Sequence, residues 1–274
     1  MIPVDNSSYF GHYNPHFIAK IIIFITRNVG KNWFSKRIIF FLRKIVILSS
    51  DHCIDTKLFN TKLRLYTKGN VSEKRALFSP QLFEEYERNF IANRCDDNSI
   101  FIDIGSNIGL YSFSVGATYK NFRNTKIYSI EPHPLLFKRL EYNASQNTDI
   151  PIYPREIALM DKSGSFKLET PEENLGQGKI SNSGQHTVVA KSLIDFIHDE
   201  KIKNIDAMKI DVEGNEESII IPFLARVEKE LLPLIIIIEK NDDSWNTNLL
   251  KKLKQKGYIV KKTTRMNYIL ELKE

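Results

Sequence analysis

An α/β fold on a mostly parallel sheet, preceded by a basic helical extension, is what this sequence predicts. Three observations carry that expectation. Strand-sized apolar runs at 99–104, 126–131, 152–158, 206–211 and 234–239 alternate with helix-sized intervals. Several of them, "LIIIIE" at 234–239 above all, are apolar almost throughout, as strands covered by helices on both faces are. The chain then closes with "GYIVKK", Thr263-Thr264-Arg265 and "MNYILELK", and so short a link between two strands makes an antiparallel hairpin.

At 274 residues the chain has room for one large domain, or one domain with an extension. A hydrophobic fraction of 42% and a charged fraction of 26% belong to a globular protein with a real core. Cys53 and Cys95 stand apart from each other and from any His/Cys cluster. That excludes a disulfide scaffold and a zinc ribbon and predicts a reducing, cytoplasmic setting.

The division expected is 1–55 for the extension and 56–274 for the main domain. Residues 1–50 carry Lys20, Arg27, Lys31, Lys36, Arg37, Arg43 and Lys44 against one acid, Asp5, so the whole formal charge of +6 lies there and the rest is neutral. A basic excess confined to that segment gives no ground for a nucleic-acid partner. Two apolar stretches, 17–25 and 38–48, are interrupted by Lys20 and by Arg43-Lys44. Neither reaches the roughly 18 uninterrupted apolar residues of a spanning helix, and no signal-peptide pattern is present. On a helix, Lys36, Arg37, Arg43 and Lys44 share about a third of the circumference. Such a segment either lies on an anionic membrane surface through residues 17–48 or packs on the domain or a second subunit.

Further on, "TKLRLYTKG" alternates as a half-buried strand does, and Gly69-Asn70 marks a turn. "QLFEEYERNFIANR" has a helical period, with Ser79 as its cap and Pro80 in its first turn. The stretch 171–185, "PEENLGQGKISNSGQ", reads as a mobile loop near a site.

Ligands of open parallel sheets bind beyond the carboxyl ends of the strands, so the residues there are the candidate site. Asp103, Gly105 and Gly109 follow the first strand and Glu131 the second; Ala158 follows the third, Asp211 and Glu213 the fourth, and Glu239 the fifth. The loop Gly105-Ser106-Asn107-Ile108-Gly109 suits a close approach of backbone to a ligand, but Ser112 stands where a dinucleotide fingerprint has Gly or Ala. Glu131, 26 residues beyond Gly105, can accept from both hydroxyls of a ribose. Asp103 would repel a pyrophosphate and attract an ammonium or sulfonium, which points to S-adenosylmethionine; it could equally cap the turn after it. Asp211 and Glu213 alternate at a strand end and so share a side. Mutual repulsion would raise one pKa, as a general base or substrate anchor requires. Lys209 could neutralise one of them, or Glu213 could cap the helix starting "GNEES" while Asp211 orders the loop. His133, between prolines, reads as a surface residue and His186 as undecided. No His/Asp pair at ligand spacing supports a metal, and Tyr111 and Phe113 read as packing.

These residues resemble the FkbM-type S-adenosylmethionine-dependent methyltransferases. The matching pieces are "FIDIGSNIGLYS", "IEPHPLLFKRLEYNASQN", "IALMDKSG", "KSLIDFI", "IDAMKIDVEGNEESII" and "IIIIEK", in the family's order across roughly 85–272. The resemblance implies a Rossmann-like class I methyltransferase fold, a seven-stranded sheet with its last strand antiparallel. It carries cofactor contact onto Asp103, Gly105, Asn107 and Gly109, the ribose onto Glu131 and an adenine wall onto Ala158. One departure stands out: the family commonly has Thr-Leu-Asp where this chain has Ser192-Leu193-Ile194, with Asp195 one place later.

The function expected is O-methylation of a sugar hydroxyl in a glycan, glycolipid or polysaccharide precursor, the sugar following from the resemblance alone. A nicotinamide-dependent oxidoreductase would need a Tyr-x-x-x-Lys pair near the strand ends, and none occurs. A non-catalytic membrane-associated scaffold with the same fold is the third reading. The acceptor atom and the oligomeric state are left open.

Overall fold

The computed structural model describes residues 4–273 apart from Lys31 and Asn182. Expectations that touch Lys31 or the Lys36 side chain therefore lie outside the described residues. In chain order come α1 (Phe17–Asn28), α2 (Trp33–Ser49), β1 (Cys53–Leu58), β2 (Thr61–Tyr66), α3 (Val71–Phe78), α4 (Glu85–Ala92), β3 (Ile100–Ile104) and α5 (Leu110–Tyr119). Then follow β4 (Lys126–Ile130), α6 (Pro134–Ser145), β5 (Ile152–Arg155), β6 (Ala158–Met160), β7 (Gly164–Glu169), β8 (Lys179–Ile180), β9 (His186–Ser192) and α7 (Leu193–Asp199). The last are β10 (Ala207–Ile210), α8 (Glu216–Arg226), β11 (Ile235–Glu239), α9 (Leu249–Gln255), β12 (Tyr258–Thr263) and β13 (Asn267–Leu272).

Seven strands form the main sheet in the order β12-β13-β11-β10-β3-β4-β5. β13 runs antiparallel to both β11 and β12, while β11, β10, β3, β4 and β5 pair in parallel. The expected class I methyltransferase sheet and its closing hairpin are therefore present. Its central strands β3, β4, β10 and β11 are buried on both faces, and successive residues go to opposite cores. Phe101, Ile127, Ala207 and Ile237 join the core that includes α5 and α6, whereas Ile102, Ile104, Met208, Ile210, Ile236 and Ile238 join the one that includes α7 and α8.

The expected third strand, 152–158, is two strands. Ile152–Arg155 belongs to the main sheet, but Ala158–Met160 pairs with β9 in a second, four-stranded sheet of order β6-β9-β7-β8. Part of the expected loop at 171–185 is β8 of that sheet, pairing Leu168 with Ile180 and Glu169 with Lys179. The expected helix after Ser79 is also broken: a 3-10 turn at Pro80–Leu82 precedes α4, and Glu84 between them is left-handed, φ 40°. Glu84 accepts from Asn267 Nδ2 at 3.0 Å, a tertiary contact that fixes the break. β2 is almost wholly buried rather than half-buried, because Arg64 pairs with Asp55 at 2.8 Å beneath the rings of Tyr13 and Tyr142.

The N-terminal residues are tied to this hairpin. Asp55 Oδ2 accepts from Gly11 N and Tyr13 N, and Arg64 donates to the carbonyls of Asp5 and Tyr9. The boundary drawn at residue 55 falls inside β1. Helix α1 buries Ala19, Ile22, Ile23 and Thr26, and its Arg27 donates to Leu77 O, Lys57 O and Thr56 Oγ1.

Candidate active site

A cleft of about 1200 Å³, counting its open mouth, lies beyond the carboxyl ends of β3, β4 and β10. Asp103, Gly105, Asn107, Glu131, Ala158, Asp211 and Glu213 all line it. Gly109 stands behind it instead, at the N-cap of α5 with φ 84°, where a Cβ would come within 2.6 Å of Leu140 Cδ1.

The glycine loop is shaped by the neighbouring strand end. Gly105 has φ +75°, and a Cβ there would be 1.9 Å from the carbonyl oxygen of Asp211. Its backbone N and that of Ser106 donate to Ile130 O, which pins the loop to β4. Asn107, expected at the cofactor, donates its backbone N–H to Glu131 Oε2 at 2.8 Å, and its Oδ1 accepts from Asn70 Nδ2 at 2.6 Å. Glu131 is thus held by two backbone donors, Asn107 N and His133 N, each at 2.8 Å. Burial nonetheless pushes its carboxyl up to about 7.

Asp103 is fully buried. Strand register places it beside Ser129 of β4 and Lys209 of β10, so the three side chains form one polar row on the α5 face. Asp103 Oδ2 accepts from Ser112 Oγ at 2.6 Å, and Ser129 Oγ donates to Ser112 Oγ. Burial raises the Asp103 pKa, while Lys209 and Ser112 oppose the rise. Its Oδ1 has no hydrogen-bond partner among the described residues, and neither have Ser106 Oγ and His133 Nε2. All three belong to residues that line the cleft.

Asp211 and Glu213 do not alternate on a strand, because β10 ends at Ile210 and Glu213 is left-handed, φ 54°. Lys209 Nζ pairs with Asp211 Oδ2 at 2.7 Å and sits 5.1 Å from the centre of the Tyr111 ring. Burial works against the Lys209 charge, but Asp211, Asp103 and Glu84 outweigh it and its pKa is raised. Glu213 is pushed up to about 7, first by burial and then by Asp211 and Glu216. Glu239 is pushed up to about 8 by burial and Asp211.

Sequence reasoning missed Glu216. It is the buried acid that orders the turn, accepting from Val212 N, Gly214 N, Asn241 Nδ2 and Trp245 Nε1. Glu213 is therefore not the cap of α8. Only the later Asn241 and Trp245 distinguish the two acids, and their approach is tertiary. His133 is not a surface residue: it is 1% exposed, its Nδ1 accepts from Leu135 N to cap α6, and its ring meets His186 at 4.9 Å. Burial lowers its pKa to about 4. Asn174, Leu175, Gly176 and Gly178 of the glycine-rich stretch line the cleft, together with Ala158, Leu159, Met160 and Leu168 of the small sheet. Where the family's Thr-Leu-Asp is altered, Ser192 caps α7 by accepting from Asp195 N, Ile194 is core, and Asp195 accepts from Ser163 Oγ. Among the described residues no group of three or more His, Cys, Asp and Glu is placed to hold a metal ion.

Several solved structures share features of this chain. An FkbM methyltransferase from Methylobacillus flagellatus is 17% identical over 65% of this chain and 44% of its own, TM-score 0.45, so the chain spans less than half of that protein. A precorrin-6y C5,15-methyltransferase from Geobacter metallireducens is 14% identical over 69% and 88%, TM-score 0.42. TrmK of M. capricolum, in complex with S-adenosylhomocysteine, is 13% identical over 68% and 66%, TM-score 0.37. No curated protein sequence matches the chain. The family model for the methyltransferase FkbM domain, however, matches residues 103–260. That span is more than half of the chain and runs from Asp103 through Glu131, Asp211 and Glu239 to β12, and on it the chain belongs to the FkbM methyltransferase family.

Proposed function

We propose that the chain moves the methyl group of S-adenosylmethionine to a hydroxyl oxygen of a sugar, in a glycan, glycolipid or polysaccharide precursor. The observation that carries the hydroxyl is the pair of carboxyls, Glu213 and Glu239, pushed up to about 7 and about 8 around Asp211. Groups that exchange a proton near neutrality suit general-base work.

The residues fit the cofactor. Asp103 Oδ1, Ser106 Oγ and His133 Nε2 are buried without partners among the described residues, and unpaired polar atoms in a cleft are what a polar ligand satisfies. S-adenosylmethionine supplies a methyl group already activated by a sulfonium charge. Glu131, with a second lone pair on each oxygen, would hold the ribose hydroxyls. Asp103 would face the cationic methionine portion, and Ala158, Leu159 and Leu168 would flank the base. Lys209 pairs with Asp211 and holds it in place beside Glu213. Glu213 then takes the hydroxyl proton as the oxygen gains the methyl group. Positioning does the remainder, by holding the acceptor oxygen in line with the methyl carbon.

Two measurements test this. Calorimetry with the full chain should give S-adenosylmethionine binding; no binding would sink the proposal. Incubation with extracted glycans and glycolipids should then add one methyl mass to a sugar-bearing product. Methylation confined to nitrogen or carbon would overturn the hydroxyl reading.

A further inference from the structure

Helix α1 is apolar on two opposite faces. Ala19, Ile22, Ile23 and Thr26 pack inward, while Phe17, Ile18, Ile21, Phe24 and Ile25 form one outward stripe. Their exposures reach 77% at Phe17 and 69% at Phe24. Helix α2 repeats the pattern: Ile39 and Val46 are buried, but Trp33, Phe34, Ile38, Phe40, Phe41, Ile45 and Leu48 are exposed. An exposed apolar surface of this extent marks an interaction site.

The charges around it are of one sign. Neither helix contains an Asp or a Glu; Lys20, Arg37 and Lys44 are exposed on them, and Arg43 is half-buried. Among the described residues no carboxylate pairs with any of these four. Arg37 lies over the Trp33 ring at 4.4 Å, and Arg43 and Lys44 lie over Phe40 at 4.2 and 5.0 Å. Such side chains carry their charge at the level of an aromatic layer. The surface also adjoins the cleft, since Arg75 lines the cleft and shares a second recess with Lys74 and with Arg43 of α2.

We infer that the outer face of α1 and α2 docks on an anionic lipid surface. Bulky apolar side chains enter the headgroup boundary and the lysines and arginines meet the lipid phosphates. No helix among the described residues is long and apolar enough to cross a membrane, so the contact is one of helices lying on the surface. A second copy is the poorer occupant: symmetric pairing would bring Lys20, Arg37 and Lys44 against their own like charges, with no acid on either helix to offset them. The inference does not depend on the identity of the methyl acceptor.

The test is sedimentation of the full chain with vesicles of phosphatidylcholine mixed with phosphatidylglycerol, and with phosphatidylcholine alone. Binding to the anionic vesicles, weakened by salt, with a blue shift of Trp33 fluorescence, is the expected result. A variant combining Phe17→Ser, Phe24→Ser, Phe34→Ser and Phe41→Ser, and another combining Arg37→Gln with Lys44→Gln, should each bind about tenfold more weakly or worse. Both must keep the S-adenosylmethionine affinity of the parent chain, which shows that they fold. Absence of sedimentation by the parent chain overturns the inference. So does equal binding by either folded variant, or a stable dimer in which Trp33 is already shielded before vesicles are added.

Discussion

Asp211 and Glu213 differ in what faces them. Asp211 is held by Lys209 at 2.7 Å, whereas Glu213 has burial and the charges of Asp211 and Glu216 around it and is pushed up to about 7. Its base form therefore appears as pH climbs through that value, and turnover should climb with it. Glu213→Gln should lower kcat by about 10²–10⁴-fold, the usual worth of a general base, and leave S-adenosylmethionine affinity by calorimetry within error of the parent. If Glu239→Gln has that effect and Glu213→Gln does not, the proton goes to Glu239. At this scale the sequence located the acids but not their states. Strand ends are readable from apolar runs, so Asp103, Glu131, Asp211 and Glu213 could be named in advance. The pairing of Lys209 with Asp211 was open, and the choice of Glu216 over Glu213 depends on Asn241 and Trp245, far along the chain.

Two turns beyond the sheet shape the cleft, and each has a weak point. At Gly105 the backbone is left-handed and a Cβ would meet Asp211 O at 1.9 Å. Gly105→Ala should therefore push the loop away from β10, costing about 2–4 kcal/mol of stability from overpacking and strain together and weakening cofactor binding more than it lowers Tm. The turn before α8 depends on Glu216, whose carboxylate accepts from two backbone and two side-chain donors. Glu216→Ala leaves buried donors unpaired and should cost about 2–4 kcal/mol in chemical denaturation. Glu216→Gln keeps an acceptor oxygen and should recover part of that loss. The central main-sheet strands β3, β4, β10 and β11 were legible as elements because they are mostly apolar and buried on both faces. The small sheet was not: β6 has three residues and β8 two, and such strands carry no periodicity to read. Similarly, the break at Glu84 comes from Asn267, which the local helical pattern cannot register.

Across the whole molecule, three acids couple stability to pH: buried Glu131 and half-buried Glu213, which line the cleft, and half-buried Glu239, which does not. The overall α/β architecture was readable from the alternation of strand and helix lengths. The two-sided nature of α1 and α2 was not, because a helix apolar on both faces has no single stripe to assign. Glu131, Glu213 and Glu239 are raised from 4.5 to about 7, 7 and 8, each mainly by burial. Below about 4.5 the folded and unfolded chains both hold these protons. As pH rises towards 8 the unfolded chain releases them first, so the folded state binds more protons and loses stability. The Tm of the ligand-free chain should thus fall between about pH 5 and pH 8. Glu131→Gln removes one of the three groups and should flatten that fall. The same carboxyl must be ionised to accept from two ribose hydroxyls, so binding of S-adenosylmethionine should release a proton below about pH 7 and tighten as pH rises to that value. Calorimetry in two buffers of different ionisation enthalpy reads the released proton directly. Equal heats in both buffers at pH 6, with binding intact, would remove Glu131 from the ribose.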